Sequence, residues 1–187
     1  MENKRLRQIL GIGLLLGALT LILYWPVQHY GFVEFDDDVY VEKNPWVTRG
    51  ITVESADWAF RNLDVGFWHP LTWLSLMADY SIFGLNPSGY HLINLLFHVM
   101  NTILLFLVLR RMTKTIWPCA FVAALFAIHP LHVESVAWIA ERKDVLSTFF
   151  WMLTLIAYSY YAEKPGVRRY LPVFVFFALG LMAKPML

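Results

Sequence analysis

The sequence predicts an all-α fold, a polytopic transmembrane helix bundle with a large non-cytoplasmic loop that carries interfacial helices after the first span. Three observations lead there. Hydrophobic residues make up 58% of the chain and aromatics 17%, against 16% charged, a balance outside that of soluble domains. The apolar residues fall in uncharged runs long enough to cross about 30 Å of hydrocarbon as helices. The basic residues gather in short alternate segments between those runs, which fixes an orientation by the positive-inside rule.

The first span covers about 9–25. Lys4, Arg5 and Arg7 ahead of it resemble the start of a secretory signal. The apolar stretch is long for a signal, and no small-x-small cleavage site precedes Tyr24-Trp25-Pro26, so it reads as an uncleaved anchor. The loop, about 26–89, holds nine acids (Glu34, Asp36, Asp37, Asp38, Glu42, Glu54, Asp57, Asp64, Asp79) against three bases (Lys43, Arg49, Arg61). Trp46, Trp58, Phe60, Phe67, Trp68 and Trp73 give it too much apolar surface for a solvated linker. Thr52–Asn62 opens with Thr-x-x-Ser, short of a full capping box, and reads as a short helix. Leu71–Phe83 repeats apolar residues at helical spacing and stops at Gly84 and Asn86-Pro87.

Further spans follow at about 91–109, 116–129, 145–162 and 170–187. The apolar parts of the third and fifth, Ile116–Ile128 and Tyr170–Ala183, are short. Each needs little tilt, a thin bilayer or less apolar flanks. The basic groups Lys4/Arg5/Arg7, Arg110/Arg111/Lys114 and Lys164/Arg168/Arg169 place the N-terminus in the cytoplasm and the acidic loop on the opposite face, of a bacterial inner membrane or the endoplasmic reticulum. The net charge of +1 carries no sign of nucleic-acid binding. The single Cys119 makes no internal disulfide. No repeat of 20–50 residues supports a solenoid.

Ionisable groups at membrane depth need a partner or a task, and three constellations qualify. The run Glu34-Phe35-Asp36-Asp37-Asp38 sets like charges side by side, so at least one carboxyl is expected to be raised and to suit a general base. Its Asp36-x-Asp38 spacing also suits a divalent metal, and a solvated turn is the plain alternative. On the second span His91, Asn94, His98 and Asn101 form one polar stripe at spacings of 3, 4 and 3, with Leu95 taken to mark the other face. Such a stripe looks into the bundle or a cavity, as helix glue or as a site. Between the third and fourth spans come His129-Pro130-Leu131-His132-Val133-Glu134 and Glu141-Arg142-Lys143-Asp144. Arg142 and Lys143 run against the positive-inside rule, which suggests an anion site, with pairing of Arg142 to Glu141 or Asp144 as the alternative.

The segments FVEFDDDVYVEKNPWV, WHPLTWLSLMADYSIFGLNPSGYHLINLLFHVMN and HPLHVESVAWIAERKDVLSTFFWMLTLIAYSYYAEKP resemble the N-terminal half of the transmembrane and tetratricopeptide repeat (TPR) containing O-mannosyltransferases. Members of that family resemble GT-C glycosyltransferases. The resemblance runs from Gly31 onward. It implies transfer of a sugar from a polyprenyl phosphate donor to a protein Ser/Thr hydroxyl on the non-cytoplasmic face. The family's acidic pair maps onto Asp36, Asp37 and Asp38 as catalytic carboxylates, with Asp36 and Asp37 favoured. Arg142, Lys143 and His132 would bind the donor phosphate, supported by Glu134, Asp144, His69, His91 and His98. No metal or other cofactor is assigned. His69 stands where animal members usually carry Arg, which makes a permanent cation titratable. The family also has further spans and a C-terminal TPR array, so the chain reads as an N-terminal part or a truncated product. A membrane-anchored scaffold without catalysis remains the alternative, and a transporter a more distant one.

Overall fold

The computed structural model describes residues 2–63 and 65–186, apart from the side chain of Glu2. Asp64, one of the nine acids of the loop, and Leu187, the end of the fifth expected span, lie outside them. Every regular element among the described residues is helical. The first helix, α1 (Glu2–Tyr24), tightens into a 3-10 turn at Trp25–His29, where Pro26 lacks the N–H to continue it. In the loop lie α2 (Val53–Arg61) and α3 (Pro70–Phe83). Then come α4 (Pro87–Thr113), α5 (Trp117–Ile128), the single-turn α6 (His132–Ala137), α7 (Arg142–Glu163) and α8 (Val167–Ala183).

Local chemistry sets these boundaries. Asn86 accepts the Ser88 N–H and Pro87 opens α4, a start that costs no backbone hydrogen bond. Lys114 takes a left-handed conformation to end it. Gly84 closes α3 at φ 59, where the sequence pattern stops. The start of α2 is stronger than expected, because the Ser55 hydroxyl fills the place of the missing Glu and completes a reciprocal box with Thr52. Gly50 stands just before it at φ 69, with Ser81 Oγ only 2.5 Å from where a Cβ would sit, so a side chain there would strain the backbone and displace the Ser81 hydroxyl.

Three helical stretches, Asn3–His29, Pro87–Thr113 and Ile139–Glu163, are long and apolar enough to span a membrane. The two remaining expected spans correspond to shorter helices. α5 has 12 residues, about 18 Å of rise, and α8 has 17, about 26 Å. The outward faces are bare apolar surface, as at Leu14 (76% exposed), Phe121 (64%) and Phe174 (58%), which suits lipid. The basic segments meet at one end of the bundle. There the Arg5 guanidinium donates to the Lys114 carbonyl and Arg111 pairs with Glu163 at 2.8 Å. The acidic loop covers the other end.

The polar stripe of α4 is buried along its whole length, and each member meets a backbone carbonyl of an opposing segment, at a helix end for Asn94 and His98, in the loop after α1 for His91 and inside the first turn of α7 for Asn101. Asn94 donates to Trp138 O (3.1 Å) and Asn101 to Val145 O (2.9 Å). His98 Nε2 lies 3.3 Å from Ala127 O and His91 Nε2 3.4 Å from Gly31 O. Helix ends and loops leave carbonyls such as those of Trp138, Ala127 and Gly31 without helical partners, and inside a membrane protein water does not supply them. Asn94, His98 and His91 do. Leu95 lies on this same side, four residues after His91 and three before His98, and is 1% exposed, packed with Tyr24, Val27, Val136 and Val145. The far side of α4 is open at Leu96 (40% exposed) and Met100 (37%), so Leu95 does not mark the other face as expected, while the expectation of one buried face stands.

Arg142, expected to bind the donor phosphate, is instead the tie between α3, α4 and α7. It is fully buried, and its guanidinium donates to Asn94 Oδ1 (2.5 Å), Ser75 Oγ (2.7 Å), Asp79 Oδ2 (2.6 Å) and the Tyr90 carbonyl (3.0 Å). Four of its five N–H groups are thus committed, and none is exposed for an incoming anion. The internal partner is Asp79, from the apolar stretch of α3, rather than Glu141 or Asp144. Asp79→Ala leaves the guanidinium buried and unpaired, and is expected to cost about 3–5 kcal/mol of stability. Asp79→Leu combined with Arg142→Met should cost far less. Thermal unfolding in detergent separates the two, and equal losses would show that the charge pair is not what holds the three helices.

Candidate functional site

The acidic run folds back on the segment before α7, and this gives its three aspartates three different environments. Asp37 is fully buried. Its Oδ2 accepts the Val33 N–H (3.0 Å) and its Oδ1 the Ala140 N–H (2.8 Å). Burial pushes its carboxyl above the usual range, although both amide bonds pull the other way. A second staple lies beside it, where Trp138 Nε1 donates to Phe35 O at 3.1 Å. Asp38 opens a wide turn, Asp38–Glu42, in which the Lys43 N–H reaches Asp38 O at 2.7 Å. Its carboxylate caps Val39 and pairs with Lys43 at 2.8 Å, and the hydrogen bond from that ammonium holds it below the usual carboxylate range. Of these three aspartates, all among the described residues, Asp36 alone is exposed with its carboxylate uncommitted, and its backbone is left-handed at φ 68. An aspartate tolerates that conformation better than most residues do. The expected carboxylate pair Asp36/Asp37 therefore narrows to Asp36, because Asp37 and Asp38 serve the loop.

Behind this turn lies a cluster of three rings. Tyr40 stacks on Trp73 (4.8 Å) and on His69 (5.7 Å), and His69 on Trp73 (4.9 Å). Burial, with the Asp36 and Glu141 carboxylates adding to it, pushes the Tyr40 phenol up to about 12. His69 is 1% exposed, and neither ring nitrogen makes a hydrogen bond of full geometry. Burial pushes it down to about 4, which the Phe67 backbone only partly offsets. It is a neutral ring, not a stand-in for the Arg of animal members. The Lys143 ammonium lies 5.1 Å from the Tyr40 ring and pairs with Glu141 at 2.8 Å.

Two cavities flank the end of α8. One, about 150 Å³, is lined by Phe67, His69, Lys143 and Lys184. The other, about 290 Å³, is bordered by His98, His132, Ser135, Asp144 and again Lys184. Lys184 pairs with Asp144, and Asp144 accepts from Ser135 Oγ at 3.2 Å. His132 stands between Phe126 (4.3 Å) and His98 (5.4 Å), and burial lowers its pKa. Glu134 is exposed on α6. His91 and His98 belong to the stripe that joins helices. Among the described residues no three His, Cys, Asp or Glu side chains are placed to hold a metal ion.

Lys184 and Tyr40 escaped the reading of the sequence, and Glu141 and Asp79 entered it without the partners they have, Glu141 as an alternative for Arg142 and Asp79 only as one of the loop acids. Lys184 carried the same signal as Arg142, a cation at the end of an apolar run away from the basic segments. Asp79 stood alone inside LTWLSLMADYSIF, where an unpaired acid is costly.

Residues 70–187 match the family of dolichyl-phosphate-mannose-protein mannosyltransferases. The chain belongs to this family. The match takes in Asp79, Arg142, Lys143 and Lys184. Among curated proteins the chain is 34% identical to protein O-mannosyl-transferase Tmtc1 of Drosophila melanogaster over 148 residues, 75% of this chain and 17% of that protein. It is 31% identical to Tmtc2 of the same organism over 181 residues, 89% of this chain and 19% of that protein. Human TMTC3 is 28% identical over 172 residues, 85% of this chain and 18% of that protein. The chain thus spans less than a fifth of these family members. No solved structure matches it.

The His69 environment sets a pH dependence. A histidine whose folded pKa lies near 4, below the usual value of about 6.5, adds stability that is complete above pH 6.5 and lost as pH falls toward 4. Unfolding measured across that window should show the loss in the wild type and a flatter profile in His69→Phe, which keeps a stacked ring without the titration. A profile unchanged by the substitution would place the acid sensitivity elsewhere.

Proposed function

We propose that this chain forms the catalytic end of a membrane O-mannosyltransferase of the GT-C type. It would move mannose from a polyprenyl phosphate to a Ser or Thr hydroxyl of a protein on the non-cytoplasmic face. The observation that carries the reading is the placing of Tyr40: its backbone N–H donates to the Asp36 carbonyl at 2.8 Å, and its ring lies 5.1 Å from the Lys143 ammonium. An uncommitted acid and a phosphate-suited cation are brought to one place.

In the reaction, the acceptor oxygen attacks C1 of the sugar as its proton passes to Asp36, and the bond from C1 to the phosphate oxygen breaks. The electron pair leaves with the polyprenyl phosphate, and configuration at C1 inverts. Lys143 and Lys184, with His132 beside the second cavity, face the growing phosphate charge, so preformed electrostatics lower the barrier. Both lysines are neutralised at rest by Glu141 and Asp144. An arriving phosphate would take over an existing pairing instead of finding a bare charge, which spares the empty site a desolvated cation.

In the full-length protein, Asp36→Asn should lower transfer from a polyprenyl phosphate donor by roughly 10²- to 10⁴-fold with unchanged thermal stability. Lys143→Ala and Lys184→Ala should raise the donor KM and also slow turnover, because the phosphate is charged before and during transfer. Wild-type turnover in Asp36→Asn would sink the base assignment. Orientation has its own test. Cysteine at Val53, which is 83% exposed on α2, should react with an impermeant thiol reagent from outside, and cysteine at Lys4 should not. Reversed labelling would put the site on the wrong face for this reaction.

A further inference from the structure

We propose that the groove between α7 and α8, at the basic end of the bundle, holds an anionic phospholipid, with an acyl chain between the helices and the phosphate at Arg168. The site lies opposite the acidic loop and stands apart from the sugar-transfer reading.

The groove encloses about 400 Å³. Leu153, Ile156 and Ala157 of α7 and Pro172 and Phe176 of α8 wall it, and among the described residues none that lines it is acidic. Its mouth is basic, since Arg168 and Arg169 stand there in the first turn of α8. The mouth is also held in place. Arg169 donates to the Tyr160 carbonyl at 2.8 Å, and the Arg111 guanidinium lies 3.4 Å from the Tyr160 ring while its Nε donates to Ser159 Oγ at 2.6 Å. Arg168 is exposed and makes no hydrogen bond or ion pair among the described residues. The same is true of the Lys164 ammonium, in the short connection between the two helices. A preformed site binds without first ordering itself.

Length and charge select the occupant. The lining runs from Leu153 to Tyr160 on α7 and from Arg168 to Phe176 on α8, about 11 and 12 Å of helix rise. That is well under half of a hydrocarbon core about 30 Å thick. A spanning helix would find no continuous seat, whereas part of one acyl chain fits. A hydrocarbon chain alone would leave the guanidinium at the mouth without a counter-ion. A phosphate headgroup supplies one, and guanidinium meets phosphate through two parallel hydrogen bonds. Basic pockets between spanning helices take lipid headgroups in this way, and the cytoplasmic leaflet, which this end faces in the orientation proposed above, is the one rich in anionic lipid.

A neighbouring groove, between α4 and α7, provides the contrast. It encloses about 310 Å³ and also has a basic rim, at Arg111 and Lys114, but Glu163 lines it and pairs with Arg111 at 2.8 Å. An arriving phosphate would meet that carboxylate at close range. The α7–α8 groove holds no such rival. Its occupant would also brace α8, whose other end brings Lys184 to Asp144, so bound lipid should raise thermal stability by mass action.

The test uses the full-length protein in detergent, with phosphatidylglycerol and phosphatidylcholine of identical acyl chains as probes. Retained lipid is counted by native mass spectrometry across a titration, and thermal unfolding is followed in parallel. Phosphatidylglycerol should bind more tightly and raise the unfolding temperature further. Arg168→Gln removes an exposed, unpaired cation, so it should leave folding intact and weaken phosphatidylglycerol about fivefold, the scale for one basic residue at an anionic membrane surface. Lys114→Gln removes an equal charge outside the groove and should change little. A phosphatidylglycerol with a photoreactive group on its acyl chain should label the α7 and α8 peptides that wall the groove, with no substitution inside the bundle. Equal affinity for the two lipids, equal losses in Arg168→Gln and Lys114→Gln, or labelling that misses both helices would each overturn the proposal. So would displacement of the lipid by soluble glycerol phosphate, which would show a phosphate site that makes no use of the groove. Retention of neither lipid would put another part of the full-length chain in the groove and overturn it as well.

Discussion

Everything at the loop end of this protein depends on one buried guanidinium. Arg142 opens α7 and reaches α3 through Asp79 and Ser75 and α4 through Asn94 and the Tyr90 carbonyl. Because it fixes the start of α7, it also fixes its neighbours in the chain. Ala140 is brought to where its N–H can hold Asp37, and Lys143 to where it meets the Tyr40 ring. Asp37, once held, leaves Asp36 outside. The exposure of the candidate base is thus a distant result of an ion pair that touches no substrate. Buried pairs of this kind add little net stability over apolar replacements; what this one supplies is placement.

Much of the fold was legible because membrane burial writes simple patterns. Long apolar runs gave the three spanning helices, and Thr52, Gly84 and Asn86-Pro87 marked helix ends through ordinary capping chemistry. The α4 stripe was legible as well, since four polar groups at helical spacing have few ways to be satisfied. Its partners were not, because they are carbonyls of segments 44 to 60 residues away or at the break after α5.

The candidate site was legible as a neighbourhood and not as individual roles. Arg142 and Lys143 are adjacent cations with the same charge and similar reach. About 100° of helix separates them, and only the position of Asp79 decides which one turns inward. The same holds for Asp36, Asp37 and Asp38. Three identical side chains in sequence carry no local signal for which is buried, which is paired and which is free. The Ala140 amide and the Lys43 ammonium decide it. Lys184 lay in plain view, but its pairing with Asp144 depends on α8 ending against α3, where Thr72 donates to Ala183 O at 2.9 Å.

The Asp79–Arg142 pair also imposes an order on biogenesis. The two residues are 63 apart, so at about 5–20 residues per second the acid leaves the ribosome roughly 3 to 13 s before its counter-ion. During that interval α3 holds a carboxylate with no partner inside an apolar stretch. Since α3 belongs to the loop and not to a spanning segment, the acid can stay hydrated at the membrane surface until the arginine arrives. The helix therefore docks late, as a latch closed by the start of α7, and a nascent chain released before Arg142 would keep α3 undocked and exposed to quality-control proteases.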